Sequence, residues 1–410
     1  MDARPDEPSR QALHGVVNSA RARPRAAAPS PPAWLRFAVT PLLLALVAVC
    51  LVAGVAGGLL RVGAYLPGTL DTAWLGRAAL GHAALMICGF MGTVISIERA
   101  VAVKLRTAFV TPFAAGLGGV CLLLGRQNAG AWLEVLAALA FVAVNVVVVY
   151  RQRAPHTVLL LASAACWLAG NLLFATGQSS EATLPWWFAF LVMTIAAERL
   201  EMTRLMRRRP AAQLELYAIL VAMAAGAAWS GVSPSLGGLV YGASLLALAL
   251  WLGVFDIARR TLFAPGLSRY MAVCLLTGYA WLAVAGLAWA ATAVGLPARD
   301  VALHALGLGF IFSMIMGHAP VILPAVARVK LRFGLYFYLP LGALHLSLLV
   351  RLGFGLFDLT LRGSGARMNA AAIAVFAATV VCAALAWRLA VNRTRVRTAQ
   401  QPAQPEPPGH

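Results

Sequence analysis

The stretch LHALGLGFIFSMIMGHAPVILPAV, residues 303–326, contains no Asp, Glu, Lys or Arg. As a helix rising about 1.5 Å per residue, it is long enough to cross a hydrocarbon layer about 30 Å thick. Working outward, comparable apolar runs recur at roughly 36–60, 75–97, 107–125, 130–150, 156–177, 183–199, 213–231, 234–256, 269–294, 299–325, 332–355 and 368–391. Of the 410 residues, 61% are apolar and 11% are charged, whereas a soluble domain carries about 25% charged residues. That balance excludes a water-soluble enzyme of ordinary composition and a long disordered chain. The expected fold class is all-α, a polytopic membrane protein with about twelve transmembrane helices.

The net charge of +19 does not point to nucleic acid, because the basic residues sit in short loops between the apolar runs. With the N-terminus inside, 26 of the 33 Lys and Arg residues fall on the inner side. The outer set is Arg61, Arg77, Arg126, Arg299, Arg351, Arg362 and Arg367. Positive loops stay in the cytoplasm, so N-in and C-in is the expected topology, in a bacterial inner membrane. The partner implied by composition is the lipid bilayer. Residues 1–35 read as a disordered basic cytoplasmic tail, 36–391 as the membrane domain and 392–410 as a second disordered tail. The six cysteines lie singly in apolar spans with no Cys-x-x-Cys pair, which suits small core residues.

Three segments share a pattern near the inner end of spans 2, 6 and 10: GFMGTVISIER (89–99), AFLVMTIAAER (189–199) and GFIFSMIMGHA (309–319). Their alignment superposes Phe90, Phe190 and Phe310, and also Glu98, Glu198 and His318. The constant four-span step predicts three four-helix repeats (36–150, 156–256 and 269–391) in a ring, with helices 2, 6 and 10 lining the inside.

Polar side chains at lipid depth need a partner or a task. Four histidines lie within spans: His82, His304, His318 and His345. Spans 2 and 10 run in the same direction, so His82 and His304 should share a depth near the outer face. Two such imidazoles can hold a haem iron from both sides; alternatively each bonds a neighbouring carbonyl. His304 and His318 are 14 residues apart, about 1400° of α-helical rotation, which places them on one face. His345, on the antiparallel span 11, falls near the depth of His318 and offers a second paired metal site. In GHAPVILP (317–324), Pro320 and Pro324 withhold amide hydrogens and should bend the helix beside His318. Arg351, with Arg77, Arg299 and Arg362, is a candidate clamp for haem propionates; an interfacial arginine reaching headgroups is the alternative for each. No nucleotide-binding loop, hydrolytic nucleophile arrangement or zinc-protease helix is present.

The runs GHAALMICGFMGTVISIERAVAV (81–103) and LHALGLGFIFSMIMGHAPVILPAV (303–326) resemble the NnrS-type haem- and copper-containing membrane proteins, and more remotely subunit I of the haem–copper oxidases. The resemblance implies twelve helices in three arcs of four over residues 36–391. It also implies a low-spin haem b near the outer face on His82 and His304, with His318 as a second metal-associated histidine and copper as a further cofactor. Spans 6 and 7 contain no histidine, so the copper-binding trio of the oxidases cannot be built, and oxygen or nitric oxide reduction at a binuclear centre is not expected. The double-histidine opening and tryptophan-rich segment of NnrS proteins are absent as well.

The expectation is therefore a haem-binding membrane protein acting in electron transfer or as a nitric-oxide-response accessory factor, with an electron donor or nitric oxide as its partner. A proton-coupled small-molecule transporter built on the bent helix 10, His318, Glu98 and Glu198 is the alternative, and a cofactor-free assembly subunit is a third.

Overall fold

The computed structural model describes residues 33–64, 73–202, 210–326 and 330–399. The two expected tails lie outside these residues apart from 33–35 and 392–399, which continue the first and last helices. The chain divides into two units, Met1–Leu42 and Leu43–His410. Of the first, the described residues are the opening of the helix Ala33–Arg61. The packing that follows belongs to the second.

Among the described residues there is no strand, and twelve helices are long and apolar enough to cross a membrane. They are α1 (Pro41–Arg61), α2 (His82–Val103), α3 (Arg106–Leu123), α4 (Gln127–Arg151), α5 (Pro155–Ala175) and α6 (Ser180–Met202). The others are α7 (Ala211–Ser230), α8 (Pro234–Phe255), α9 (Leu267–Ala293), α10 (Arg299–Pro324), α11 (Leu335–Leu356) and α12 (Leu359–Val391). The protein is a polytopic all-α membrane protein, the class in which every backbone polar group is satisfied within its own helix. Connections are short. Gly177 and Gly295 take the left-handed conformation, with φ of 74° and 89°, and end the helices that lead into α6 and α10.

Sequential helices pack as neighbours through α3–α4–α5–α6 and through α7–α8–α9. The three helices singled out by the repeat are the innermost. Burial reaches 61% in α2, 83% in α6 and 67% in α10, against 22–50% in the other nine. Phe90, Phe190 and Phe310 are all buried. α2 touches both α6 and α10, and α6 meets α10 where Phe188 faces Gly307.

Two of these inner helices depart from α geometry at the same register of the repeat. Residues Leu85–Gly92 of α2 and Ala305–Phe312 of α10 wind as π-helix, so each carries extra chain within its turns. One inserted residue rotates everything downstream by roughly 100°. The expectation that His304 and His318 share a face assumed an unbroken α-helix, and it fails for this reason. His304 lies against α2 and α11, whereas His318 meets α6. The carbonyl that Pro320 leaves without its amide is not left open: the Tyr270 hydroxyl donates to the Met316 carbonyl at 3.3 Å.

Small residues let helices approach closely where apolar burial alone supplies little drive in lipid. At the α8–α9 crossing, a Cβ on Gly286 would stand 2.6 Å from the Leu246 amide nitrogen and 2.7 Å from the Gly242 carbonyl. These are backbone atoms and cannot swing away. Gly286→Leu is therefore expected to destabilise the protein by about 1–3 kcal/mol or more through overpacking. Gly253→Ala in α8, where an added Cβ meets nothing within 4 Å, should be neutral or stabilising by a few tenths of a kcal/mol up to ~1. Thermal unfolding in detergent measures both, and equal behaviour of the two variants would refute the close-approach account.

Candidate functional site

α2 and α10 bring His82 and His304 face to face. Their ring centres are 6.4 Å apart, with 28° between the ring planes. Two imidazole nitrogens each about 2 Å from one metal atom place the ring centres roughly 6 Å apart, so the separation suits a shared metal, and it also lies within the range of a loosely stacked ring pair.

Each ring is oriented from behind. The Nδ1–H of His82 donates to the Gly54 carbonyl at 2.7 Å, which assigns the free lone pair to Nε2. α1 can come this near because Gly58 has no side chain: a Cβ there would stand 2.7 Å from Cε1 of His82. On the other side, Nδ1 of His304 lies 2.9 Å from Oδ1 of Asp300 and 3.0 Å from its carbonyl, so it too must donate, leaving Nε2 as the acceptor. The carbonyl bonds expected as the alternative reading are thus present, and the rings also face one another. A second hydrogen bond behind the ring is the arrangement that fixes tautomer and orientation in metal-bound histidines.

Arg351 ties this side together. Its Nε and Nη2 hold the two Asp300 oxygens at 3.1 and 2.9 Å, Nη2 lies 3.1 Å from Nε2 of His304, and Nη1 reaches Asn369 at 3.4 Å. Asn369 in turn donates to Ser347 at 2.6 Å. A metal on His304 would replace the Arg351 hydrogen bond at Nε2, with Asp300 still holding the guanidinium.

Both rings line an apolar cavity of about 130 Å³ that is partly open to the surroundings, smaller than the 300–1,000 Å³ of common ligand cavities. Its walls are apolar side chains of α1, α2, α6, α10 and α12, among them Leu59, Met86, Phe188, Leu308 and Ile373. Gly307, one turn after His304, lines it, and a Cβ added there would meet only Phe188, at 3.8 Å. The glycine leaves room that a side chain would fill. Outward, the same histidines and Arg351 border a polar vestibule that includes Arg61, Arg299, Asp300 and Arg362.

The remaining predicted residues go elsewhere. Arg299 lines the vestibule but bonds Glu181 and Ser180 at 2.7 and 2.8 Å. Arg77 donates to the Leu123 carbonyl at 2.6 Å and closes the end of α3. His345 accepts from Trp281 at 3.0 Å. His318 donates from Nδ1 to the Met314 carbonyl and accepts from Arg199 at Nε2, both at 2.7 Å. The second paired site expected of His318 and His345 is not formed by these contacts. Among the described residues, no group of three or more His, Cys, Asp or Glu side chains is arranged to hold a metal ion, which leaves copper without such a ligand set there. Sequence reasoning missed Asp300, although its position one helical turn before His304 was a readable signal.

The fold and the site define a polytopic helical membrane protein with a paired-histidine cavity. The chain belongs to a family described as a domain of unknown function (DUF8744), whose model matches residues 40–385. No curated protein and no solved structure matches it.

Asp300 and Arg351 are largely enclosed, with side-chain exposures of 24% and 8%, so either residue alone should be costly. A double-mutant cycle with Asp300→Asn and Arg351→Gln is expected to show a coupling of about 1–3 kcal/mol. Additive unfolding energies would mean that the pair is not a structural unit.

Proposed function

We propose that this protein binds a b-type haem between His82 and His304, in a bacterial inner membrane with both termini inside, and serves electron transfer or a nitric-oxide response. The observation that carries the reading is the pair of imidazoles 6.4 Å apart, each anchored at Nδ1 and both lining an apolar cavity. The likeness of the α2 and α10 segments to the NnrS proteins supports the same reading.

When bound, haem supplies reversible one-electron chemistry at a potential set by its surroundings. The chain provides the rest. His82 and His304 would hold the haem iron. Gly54 and Asp300 fix which nitrogen each presents. The apolar walls exclude water and lower the local dielectric. Arg299 and Arg351 already pair with Glu181 and Asp300, so Arg61 and Arg362 of the vestibule are the further cations that suit the cofactor's carboxylates. The proposal is one of binding and electron exchange, and it includes neither a copper centre nor a catalytic residue.

Full-length protein purified in detergent from haem-replete cells is expected to show a Soret band with the spectrum of six-coordinate low-spin haem. His82→Ala and His304→Ala should each abolish that spectrum, while His345→Ala keeps it. A folded, colourless wild-type protein would overturn the proposal.

A further inference from the structure

We infer that Asp300 is a positioning residue that makes the two axial imidazoles chemically unequal. The inference rests on the haem reading and deepens it. Behind His82 stands a neutral acceptor, the Gly54 carbonyl, at 2.7 Å. Behind His304 stands a carboxylate oxygen at 2.9 Å. An ionised acceptor makes the stronger hydrogen bond and draws the Nδ1 proton toward itself, leaving more electron density at Nε2. His304 is then the more basic ligand, with partial imidazolate character. Such a ligand favours the more positive oxidation state of an iron it binds.

The geometry keeps the carboxylate in place for this task. Asp300 opens α10 one turn before His304, so its side chain reaches back along the same helix. The Arg351 fork grips both of its oxygens and prevents rotation away from the ring. Asn369 steadies the guanidinium from α12. The carboxylate thus acts on the site only through His304.

The test is a redox titration of the purified holoprotein, followed by absorbance, with low-temperature electron paramagnetic resonance of the oxidised form. Asp300→Asn should retain the haem and move the one-electron equilibrium at least tenfold toward the reduced form, a rise of about 59 mV. Its resonance anisotropy should change with the altered ligand field. Asp300→Glu should restore most of both. Glu181→Gln removes a carboxylate beside the vestibule without touching either ring, and should leave the equilibrium within twofold.

An unchanged potential in haem-loaded Asp300→Asn overturns the inference, as does an equal shift in Glu181→Gln. Loss of haem in Asp300→Asn with retention in Asp300→Glu supports it. If Asp300→Asn does not accumulate, Asp300→Ser, which also removes the carboxylate and keeps Arg351, carries the same measurement, and an unchanged potential there is equally fatal. Wild-type protein without haem overturns the haem reading itself, a different result from any of these.

Discussion

A carboxylate, a guanidinium and an imidazole, from Asp300, Arg351 and His304, meet at the floor of the vestibule, largely withdrawn from solvent. Each would be expensive alone at this depth. Together they satisfy one another within 2.9–3.1 Å and fasten α10 to α11, with Asn369 extending the grip to α12. The rest of the site follows from that constraint. With His304 held from behind, its ring has one direction left, across the cavity toward His82. Gly54 and Gly58 supply the matching restraint from α1, by a carbonyl and by a missing side chain respectively. Two independent sets of contacts thus define one gap.

The inner half of the molecule follows the same rule with different partners. His318 stands at the repeat position that holds Glu98 in α2 and Glu198 in α6, and it accepts the Arg199 guanidinium. Where two repeats place a carboxylate followed by an arginine, the third places an imidazole that takes up the arginine of its neighbour. The interior is thereby pinned near both membrane surfaces. Its middle is filled by aromatic side chains such as Trp167 stacked on Phe190, 4.8 Å between centres, a contact that needs no polar partner.

Much of this was legible in the sequence because membrane constraints are blunt. Twelve apolar runs give twelve helices, since length and charge depletion are all that a span requires. The four-span repeat identified α2, α6 and α10 as the inner helices, because burial leaves its mark on the side chains of a whole helix face. The facing of His82 and His304 could be anticipated from depth and helix direction. What stayed hidden depended on backbone detail or on partners remote in the chain. Nothing in the residues 305–312 announces a π-turn, so the face of His318 was misplaced. The diversion of Arg77 to the Leu123 carbonyl needs the end of α3 as a neighbour, and no periodicity encodes that. Asp300 was within reach of inspection but lies at a helix start, where an acidic residue is ordinarily read as a match for the helix dipole.

The π-turns bear on how such a site can be lost. A π-turn differs from an α-turn by a single residue of chain. Dropping one amino acid between 85 and 92 would let the backbone heal into regular helix while every histidine survived. The halves of α2 above and below the mend would then be out of phase by about a quarter-turn, and a ring that now meets its counterpart would be aimed past it. Related chains that preserve both histidines but differ by one residue in this interval would therefore carry the signature without the geometry. The chain length between landmarks is as informative here as the landmarks themselves.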